Sequence, residues 1–230
     1  MVKPGSQREA SKRRVAILIS GRGSNMAALI EAAKVEGYPA EIAVVISNRA
    51  DAGGLALANA NGIATLTIES KPFAKDRAGF EAALQSALDG YRIELICLGG
   101  FMRLFTAEFV QRWYGKMLNI HPSLLPSFPG LEPHAQALNA GVKVSGATVH
   151  FVTPQTDAGP IVMQGVVAVC DDDTPDTLSE RILEIEHRIY PEALRLLASG
   201  RLRLDGAICR LDGEACPSGT LISPQHASEV

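Results

Sequence analysis

Apolar runs rich in β-branched residues alternate along the first half of this chain with Ala- and Leu-rich segments of helical spacing. The runs are predicted as strands over residues 15–20, 42–47, 64–68, 93–98 and 117–120, and the segments between them as helices over 26–35, 54–60, 76–88 and 106–113. Neighbouring strands joined through helices lie parallel in one sheet. The sequence therefore predicts an α/β fold with a mostly parallel, doubly wound sheet and a Rossmann-like N-terminal half.

The alternation of strands and helices changes after residue 121. Residues 122–133 are rich in Pro and Ser and are predicted as a loop, with a short helix following over 134–139. Two further apolar runs, 147–152 and 161–169, are separated by a single loop. They are predicted to pair as a hairpin rather than through another crossover helix.

The last helix is predicted to begin at Thr174 and Pro175, which suit the cap and the first helical position. Apolar residues of helical spacing predict its buried stripe, and they are Leu178, Ile182, Ile185 and Ile189. Pro191 is predicted to kink this helix or to start a new turn.

The composition predicts one large globular domain. The chain has 230 residues, of which 47% are hydrophobic, so it can bury a substantial core. We expect a disordered leader over residues 1–13, the folded domain over 14–205 and a tail over 206–230. A net charge of −3 argues against a general nucleic-acid or membrane-surface binder. No apolar run approaches the ~20 residues that would span a bilayer.

The cysteines predict neither a zinc ribbon nor a thioredoxin-type redox site. The chain has 4 cysteines, and no two of them form a Cys-x-x-Cys pair. Cys97 lies in an apolar run and is expected to be a reduced core residue. We therefore expect a cytoplasmic protein.

Asn119 and His121 are the first candidates for catalysis. They close the apolar run 117–120 and are followed by Pro122, which ends it. Side chains at i and i+2 of a strand point to the same side, so an amide and an imidazole are expected together at the carboxyl end of a strand. In an open α/β sheet ligands bind at that edge. Asn can stabilise an oxyanion and His can move a proton near neutral pH, which suggests acyl-type chemistry.

The first strand leads into the glycine turn Ser20-Gly-Arg-Gly-Ser-Asn25. Its glycines allow close approach of the backbone to a ligand, and the following helix would point free N–H groups outward, which suits a phosphate. The turn is not a dinucleotide fingerprint, because Met26 occupies the third glycine position and Asn48 stands where an acidic residue would bind a ribose. A sugar phosphate fits better than NAD or ATP.

Two further segments follow predicted strands. The loop after 147–152 carries one carboxylate, Asp157, which would orient or charge His121 if the two loops met. His150 lies in the strand before that loop and is predicted to be a hydrogen-bonded scaffold residue. The segment 99–105 joins two glycines to apolar residues and suggests a pocket wall for a flat ring system. No histidine has metal-ligand spacing to another, so no metal site is expected.

The motifs together resemble the folate-dependent phosphoribosylglycinamide formyltransferases of purine biosynthesis. The resemblance runs from about Arg14 to Leu204 and rests on several separated motifs in the family's order. These are Ile19-Ser-Gly-Arg-Gly-Ser-Asn25, Gly100-Phe-Met-Arg103, Asn119-Ile-His-Pro-Ser-Leu-Leu-Pro126, Gly146 to Gly159, and Glu186-His-Arg-Ile-Tyr-Pro191. It implies the single-domain formyltransferase fold and transfer of the formyl group of 10-formyltetrahydrofolate to the glycinamide amine.

The resemblance also implies roles for individual residues. It makes Asn119, His121 and Asp157 the catalytic trio and assigns the ribotide to Gly23, Ser24, Asn25 and Glu186. It assigns the folate to Arg77, Met102, Arg103, Leu104, Phe105, Asn119, Thr153 and Thr156. Pro154 and Thr156 depart from the residues usual in the family's pterin loop. No metal and no bound cofactor are implied, because the folate is a cosubstrate. The implied partners are two small-molecule substrates, with the chain a monomer or a homodimer.

Three alternative functions fit the sequence less well than formyl transfer to the ribotide. The 10-formyltetrahydrofolate hydrolases share this type of domain, but they typically have a second histidine where this chain has Pro122. Methionyl-tRNA formyltransferases usually add an RNA-binding domain, and the region after residue 206 is not basic. A noncatalytic folate- or nucleotide-binding module would not need Asn119, His121 and Asp157 together.

Overall fold

The computed structural model describes residues 12–213 and residue 223. The predicted leader lies outside the described residues except for positions 12 and 13. The predicted tail lies outside them except for positions 206–213 and 223. The limits of the domain therefore stay predictions.

A seven-stranded sheet forms the centre of the molecule, with strands in the order β3-β2-β1-β4-β5-β6-β7. The strands are β1 (Arg13–Ile19), β2 (Ala40–Ser47), β3 (Ala64–Thr67), β4 (Leu95–Leu98), β5 (Met117–His121), β6 (Val144–Phe151) and β7 (Ile161–Ala168). The first five pair in parallel, whereas β6 is antiparallel to both β5 and β7. The predicted mostly parallel α/β sheet and the predicted hairpin are confirmed.

Helices cover both faces of this sheet. They are α1 (Ser24–Ala33), α2 (Gly53–Ala60), α3 (Arg77–Gly90), α4 (Ala107–Arg112), α5 (Pro133–Asn139) and α6 (Pro175–Ala198), with a 3-10 turn at Lys71–Phe73. The strands β8 (Leu202–Asp205) and β9 (Ile208–Leu211) form a separate two-stranded sheet across the predicted start of the tail.

Strand β1 shows why the sheet needs helices on both faces. Ile17 and Ile19 point into the core that α1 and α6 cover, whereas Ala16 and Leu18 point into the core that α3 and α4 cover. Alternate residues of a strand point to opposite faces, so a strand that is apolar throughout must be buried on both. The continuous apolar runs of the sequence reflect this two-sided burial.

Helix α6 runs without a break through Pro191. The sequence predicts a kink or a new turn there, and the structure keeps one helix instead of starting a new one. Buried side chains lie on both sides of the proline, among them Tyr190 and Leu194, and they hold the helix against the sheet. That packing offsets the one backbone hydrogen bond that a proline removes. No helix of residues 12–213 is both long and apolar enough to cross a membrane.

The strand order places a crevice between β1 and β4. From β1 the chain moves outward to β2 and β3, and then returns to the other side of β1 as β4 and β5. The loops that leave the carboxyl ends of β1 and β4 therefore diverge. Such a switch point is where open α/β sheets bind ligands.

Candidate active site

Asn119 and His121 lie at the carboxyl end of β5, as the sequence predicts. The antiparallel register of the sheet sets Asn119 opposite His150 and His121 opposite Thr148 on β6. The Asn119 side chain is half-buried, and that of His121 is buried. The hydroxyl of Thr148 donates to the backbone oxygen of Ser123 at 2.7 Å, which fixes the loop that leaves His121.

His150 orients the Asn119 amide. Its Nδ1 lies 2.9 Å from the backbone oxygen of Phe151, which can only accept, so Nδ1 carries the hydrogen. Its Nε2 is then an acceptor for Asn119 Nδ2 at 3.2 Å. Burial lowers the pKa of His150 and outweighs the opposing effects of the Phe151 carbonyl and the Asp157 carboxylate. A neutral His150 therefore keeps the Asn119 amide turned with Nδ2 towards it.

Asp157 joins the two histidines. One carboxylate oxygen lies 3.6 Å from His121 Nδ1, and the other lies 3.8 Å from His150 Nε2. The backbone N–H of Gly130 donates to Asp157 at 2.9 Å, so the loop after β5 meets the loop after β6. Asp157 has a left-handed backbone with φ of 52°, which Asp tolerates better than most residues.

Gly159 makes the tight turn of the Asp157 loop possible. A Cβ at this position would lie 1.7 Å from the backbone oxygen of Phe151. The backbone of Phe151 in turn donates to the oxygen of Pro160 at 2.9 Å and closes the base of the loop. Only glycine allows this approach, which holds Asp157 over the end of β5.

Two contacts orient the His121 ring. Its Nε2 lies 2.9 Å from the backbone oxygen of Phe128, and this contact requires an Nε2 hydrogen. Its Nδ1 then faces the Asp157 carboxylate at 3.6 Å. At this distance Nδ1 is not held in a short hydrogen bond and stays available to a ligand.

The glycine turn after β1 forms the second part of the site. Gly23 has a left-handed backbone with φ of 76° and precedes α1, whose first turn has no side-chain cap. The N–H groups of Ser24 and Asn25 therefore begin a helix that is open to an anion. The N–H of Gly54 donates to the Gly21 oxygen at 3.0 Å, so the start of α2 braces the turn.

Glu186 lies beside this turn on α6. It is buried, and Asn25 Nδ2 donates to its carboxylate at 2.8 Å. Burial raises the pKa of Glu186 to about 7, and the hydrogen bond from Asn25 opposes that rise. Asn25 Oδ1 is buried without a hydrogen-bond partner among the described residues. The structure thus brings two of the predicted ribotide residues into contact and leaves one buried acceptor unpaired among the described residues.

The segment after β4 forms the third part of the site. Met102 and Leu104 are 70% and 59% exposed, which is unusual for such large apolar side chains. Arg103 turns inward, with its guanidinium carbon 4.8 Å from the centre of the Phe80 ring. Phe105 also turns inward and stacks between Phe101 and Phe109. The exposed pair makes an apolar surface, and Arg103 and Phe105 support it from the core side.

The remaining predicted folate residues lie on two other elements. Arg77 is exposed at the first position of α3. Thr153 and Thr156 lie in the loop that carries Asp157, where Thr156 is exposed and the Thr153 hydroxyl donates to the Gln155 oxygen at 3.0 Å. Their part in folate binding stays a prediction.

One residue has a larger part in the site than the sequence interpretation gives it. His150, predicted as a scaffold residue, is hydrogen-bonded but holds Asn119 within the site itself. Asn48, which the sequence does not assign to a ribose, accepts with its oxygen from Ser20 at 2.6 Å, and its Nδ2 faces Ser70 at 3.3 Å. The sequence does carry a signal for His150, because Thr148 and His150 are spaced i and i+2 on a strand, as Asn119 and His121 are.

Within residues 12–213 no three His, Cys, Asp or Glu side chains cluster as metal ligands would.

Comparison with known proteins identifies the family. Residues 13–194 match the Formyl transferase family. The phosphoribosylglycinamide formyltransferase of Escherichia coli K12 is 41% identical over 203 residues, which are 88% of this chain and 95% of that protein. The chain is also 50% identical to the bovine trifunctional purine biosynthetic protein adenosine-3, over 87% of this chain, but it spans only 20% of that protein's length.

Solved structures give the same answer. Glycinamide ribonucleotide transformylase 1 from Symbiobacterium toebii superposes with a TM-score of 0.86 at 45% identity, over 91% of this chain and 98% of that one. A formyltetrahydrofolate deformylase from Pseudomonas syringae has a TM-score of 0.81 at 27% identity, over 88% of this chain and 66% of that one. Both the TM-score and the sequence identity are therefore higher for the transformylase than for the deformylase. This chain belongs to the formyl transferase family and, within it, to the phosphoribosylglycinamide formyltransferases.

Proposed function

We propose that this protein transfers the formyl group of 10-formyltetrahydrofolate to the amine of 5-phosphoribosylglycinamide, a step of purine biosynthesis. The observation that carries the proposal is the contact of His121 and Asp157 beside Asn119, next to an uncapped helix start at the switch point of the sheet. Both substrates are small molecules, and the folate acts as a cosubstrate rather than a resident cofactor. We propose a cytoplasmic monomer or homodimer that takes no nucleic acid or membrane as a partner.

The ribotide is proposed to bind along α1 and α6. Its phosphate would accept from the backbone N–H groups of Gly23, Ser24 and Asn25, where the helix dipole favours a negative charge. Its glycinamide end would reach Glu186 and Asn25 Oδ1, both of which can accept hydrogen bonds from an amine or amide. The order of these groups, an anion site at one end and acceptors at the other, matches a phosphorylated sugar that carries an amine.

The folate is proposed to lie against the exposed apolar side chains of Met102 and Leu104. A flat pterin ring covers such a surface and removes it from water, which favours binding. Arg77 is proposed to approach the anionic tail of the folate from the start of α3, on the same side as Arg103. The loop with Thr153 and Thr156 is proposed to cover the pterin.

The chemical step follows from the groups around His121. The amine of the ribotide attacks the formyl carbon, and the formyl oxygen becomes an oxyanion in the tetrahedral intermediate. We propose that Asn119 Nδ2 and a protonated His121 donate to this oxyanion. The bond from carbon to the folate nitrogen then breaks, the amine loses a proton and the folate nitrogen gains one. The His121–Asp157 pair is the proposed carrier of that proton.

Absorbance-monitored turnover of 10-formyltetrahydrofolate, with and without the ribotide, tests this function. We expect tetrahydrofolate to form only when the ribotide is present, in equal amount to formylated ribotide. Equal rates with and without the ribotide would identify a hydrolase instead. Folate binding without any turnover would identify a noncatalytic module.

Replacing Gly23 with valine is expected to weaken ribotide binding selectively. A Cβ at this position would lie 3.0 Å from Met26 Cε and 3.2 Å from Gly54 Cα, and a β-branched side chain is strained at a φ of 76°. The turn must then shift away from the phosphate. We expect the KM for the ribotide to rise about tenfold or more, with the KM for the folate nearly unchanged, by steady-state kinetics.

Gly21→Ala is the matched control within the same turn. A Cβ at Gly21 meets no heavy atom within 4 Å, and its φ is not positive. We expect a much smaller change in the KM for the ribotide than Gly23→Val produces. A folded Gly23→Val protein with an unchanged ribotide KM would contradict the phosphate assignment.

A further inference from the structure

Glu81 on α3 is a buried carboxylate that serves a single residue. It is 7% exposed, and its two oxygens accept from the backbone N–H of Thr106 at 2.6 Å and from the Thr106 hydroxyl at 2.5 Å. No cation among residues 12–213 forms an ion pair with it. Carboxylates are seldom buried without a cation, because desolvation disfavours the charge. The short charge-assisted hydrogen bonds to Thr106 compensate for that cost.

The cap of α4 does not by itself explain this arrangement. Thr106 already caps α4 with its own side chain, which accepts from the N–H of Phe109 at 3.3 Å. Glu81 binds the other side of the same residue, through its N–H and its hydroxyl hydrogen. Glu81 therefore fixes the position of Thr106, where the segment 99–105 after β4 ends.

That segment is held at two places. The N–H of Met102 donates to the Ser20 hydroxyl at 2.9 Å, and the N–H of Thr106 donates to Glu81 at 2.6 Å. Only Arg103, Leu104 and Phe105 lie between these anchors. Ser20 precedes the glycine turn of the ribotide site, whereas Glu81 lies on α3, away from that turn. The Ser20 anchor therefore lies beside the ribotide site, whereas the Glu81 anchor lies on the helix that carries Arg77.

Helix α3 also supports the segment through its aromatic side chain. Phe80 precedes Glu81 and stacks on Phe101 with ring centres 6.4 Å apart, and it carries the Arg103 guanidinium on its face. Arg77 lies one turn earlier on the same helix. Any shift of α3 against the segment would thus move Arg77 relative to Met102 and Leu104.

We propose that Glu81 is a positioning residue for the folate. By holding Thr106, it keeps Met102 and Leu104 exposed towards the cosubstrate and at a fixed position relative to Arg77. This role rests on the proposed function, because it assigns the folate to that surface. Glu81 acts through Thr106 and touches neither substrate. Its loss should therefore affect folate binding and leave ribotide binding intact.

Glu81→Met and Glu81→Gln separate this role from general support of the fold. Methionine keeps the length and helix preference of the side chain but removes both acceptors, whereas the glutamine oxygen still accepts from the Thr106 N–H. For Glu81→Met we expect the KM for 10-formyltetrahydrofolate to rise about tenfold, with the KM for the ribotide within about twofold. For Glu81→Gln we expect a rise of about threefold or less. The Kd for tetrahydrofolate, measured by calorimetry, should rise by the same factors.

Thr106→Val and Thr106→Ser provide an independent route if Glu81→Met does not fold. Valine removes the hydroxyl bond and serine retains it, so the folate KM should rise in the first variant and not in the second. Equal rises in both KM values, or an unchanged folate Kd in folded Glu81→Met or Thr106→Val, would overturn the proposal. A wild-type protein without ribotide-dependent turnover would instead contradict the proposed function, and the tetrahydrofolate titrations would still decide the role of Glu81.

Discussion

Replacing His121 with alanine is expected to lower kcat about 10³-fold, equivalent to a barrier about 4 kcal/mol higher. The alanine variant loses the donor that faces the oxyanion and the group that carries the amine proton, and either loss alone costs about 10²-fold or more. Ribotide affinity is expected to change little, because the glycine turn and Glu186 belong to other elements, α1 and α6. Single-turnover kinetics and ribotide titration together measure these two effects.

His134→Gln is the matched control for that experiment. Burial is the main cause that lowers the pKa of His134, and the nearby His121 lowers it further. It is therefore a second imidazole in the same region, but among the described residues it forms no hydrogen bond or ion pair with Asn119 or Asp157. We expect its kcat to fall by less than about tenfold. Equal losses in the two variants, or an active His121→Ala protein, would contradict the role assigned to His121.

The parts of the site that lie on single strands and turns were predictable from the sequence. Asn119 and His121 share a face because they are two positions apart in β5, and that relation needs no tertiary information. The glycine turn likewise follows from residues that are contiguous between β1 and α1. Asp157 is not fixed by the local sequence, because its place beside His121 depends on whether two loops meet.

The parts that depend on pairing between distant elements were not predictable. His150 contacts Asn119 only because β6 runs antiparallel to β5 in a register that sets these two residues opposite each other. The bond between Glu81 and Thr106 joins α3 to α4 across 25 residues of sequence. Helix α6 continues through Pro191 because of side-chain packing on both sides, a tertiary effect that outweighs the local preference of proline.

Glu186 links the site to the stability of the whole protein. Its pKa is about 7 in the folded protein, against 4.5 for the ordinary carboxyl, and burial is the main cause. Between these values the folded state binds a proton that the unfolded state has lost, so the free energy of unfolding falls as the pH rises. Below pH 4.5 both states are protonated and no penalty exists; above about pH 7 the penalty is complete, at about 3 kcal/mol.

Glu186→Gln is therefore expected to stabilise the protein at alkaline pH while weakening ribotide binding. Glutamine cannot ionise, and its oxygen still accepts from Asn25, so the packing of α6 on α1 is retained. Urea unfolding measures the free energy of unfolding of the variant minus that of wild type. We expect this difference to be about 2–3 kcal/mol larger at pH 8 than at pH 5. Glu192→Gln on the same helix is the control: the hydrogen bond from Arg195 lowers the pKa of Glu192, so this carboxyl is largely ionised in both states above pH 5, and the stability of the variant relative to wild type should change little between pH 5 and pH 8. A stability difference that does not grow with pH would show that burial does not disfavour the ionised Glu186. An unchanged ribotide Kd in the same variant would show that Glu186 is not part of the binding site.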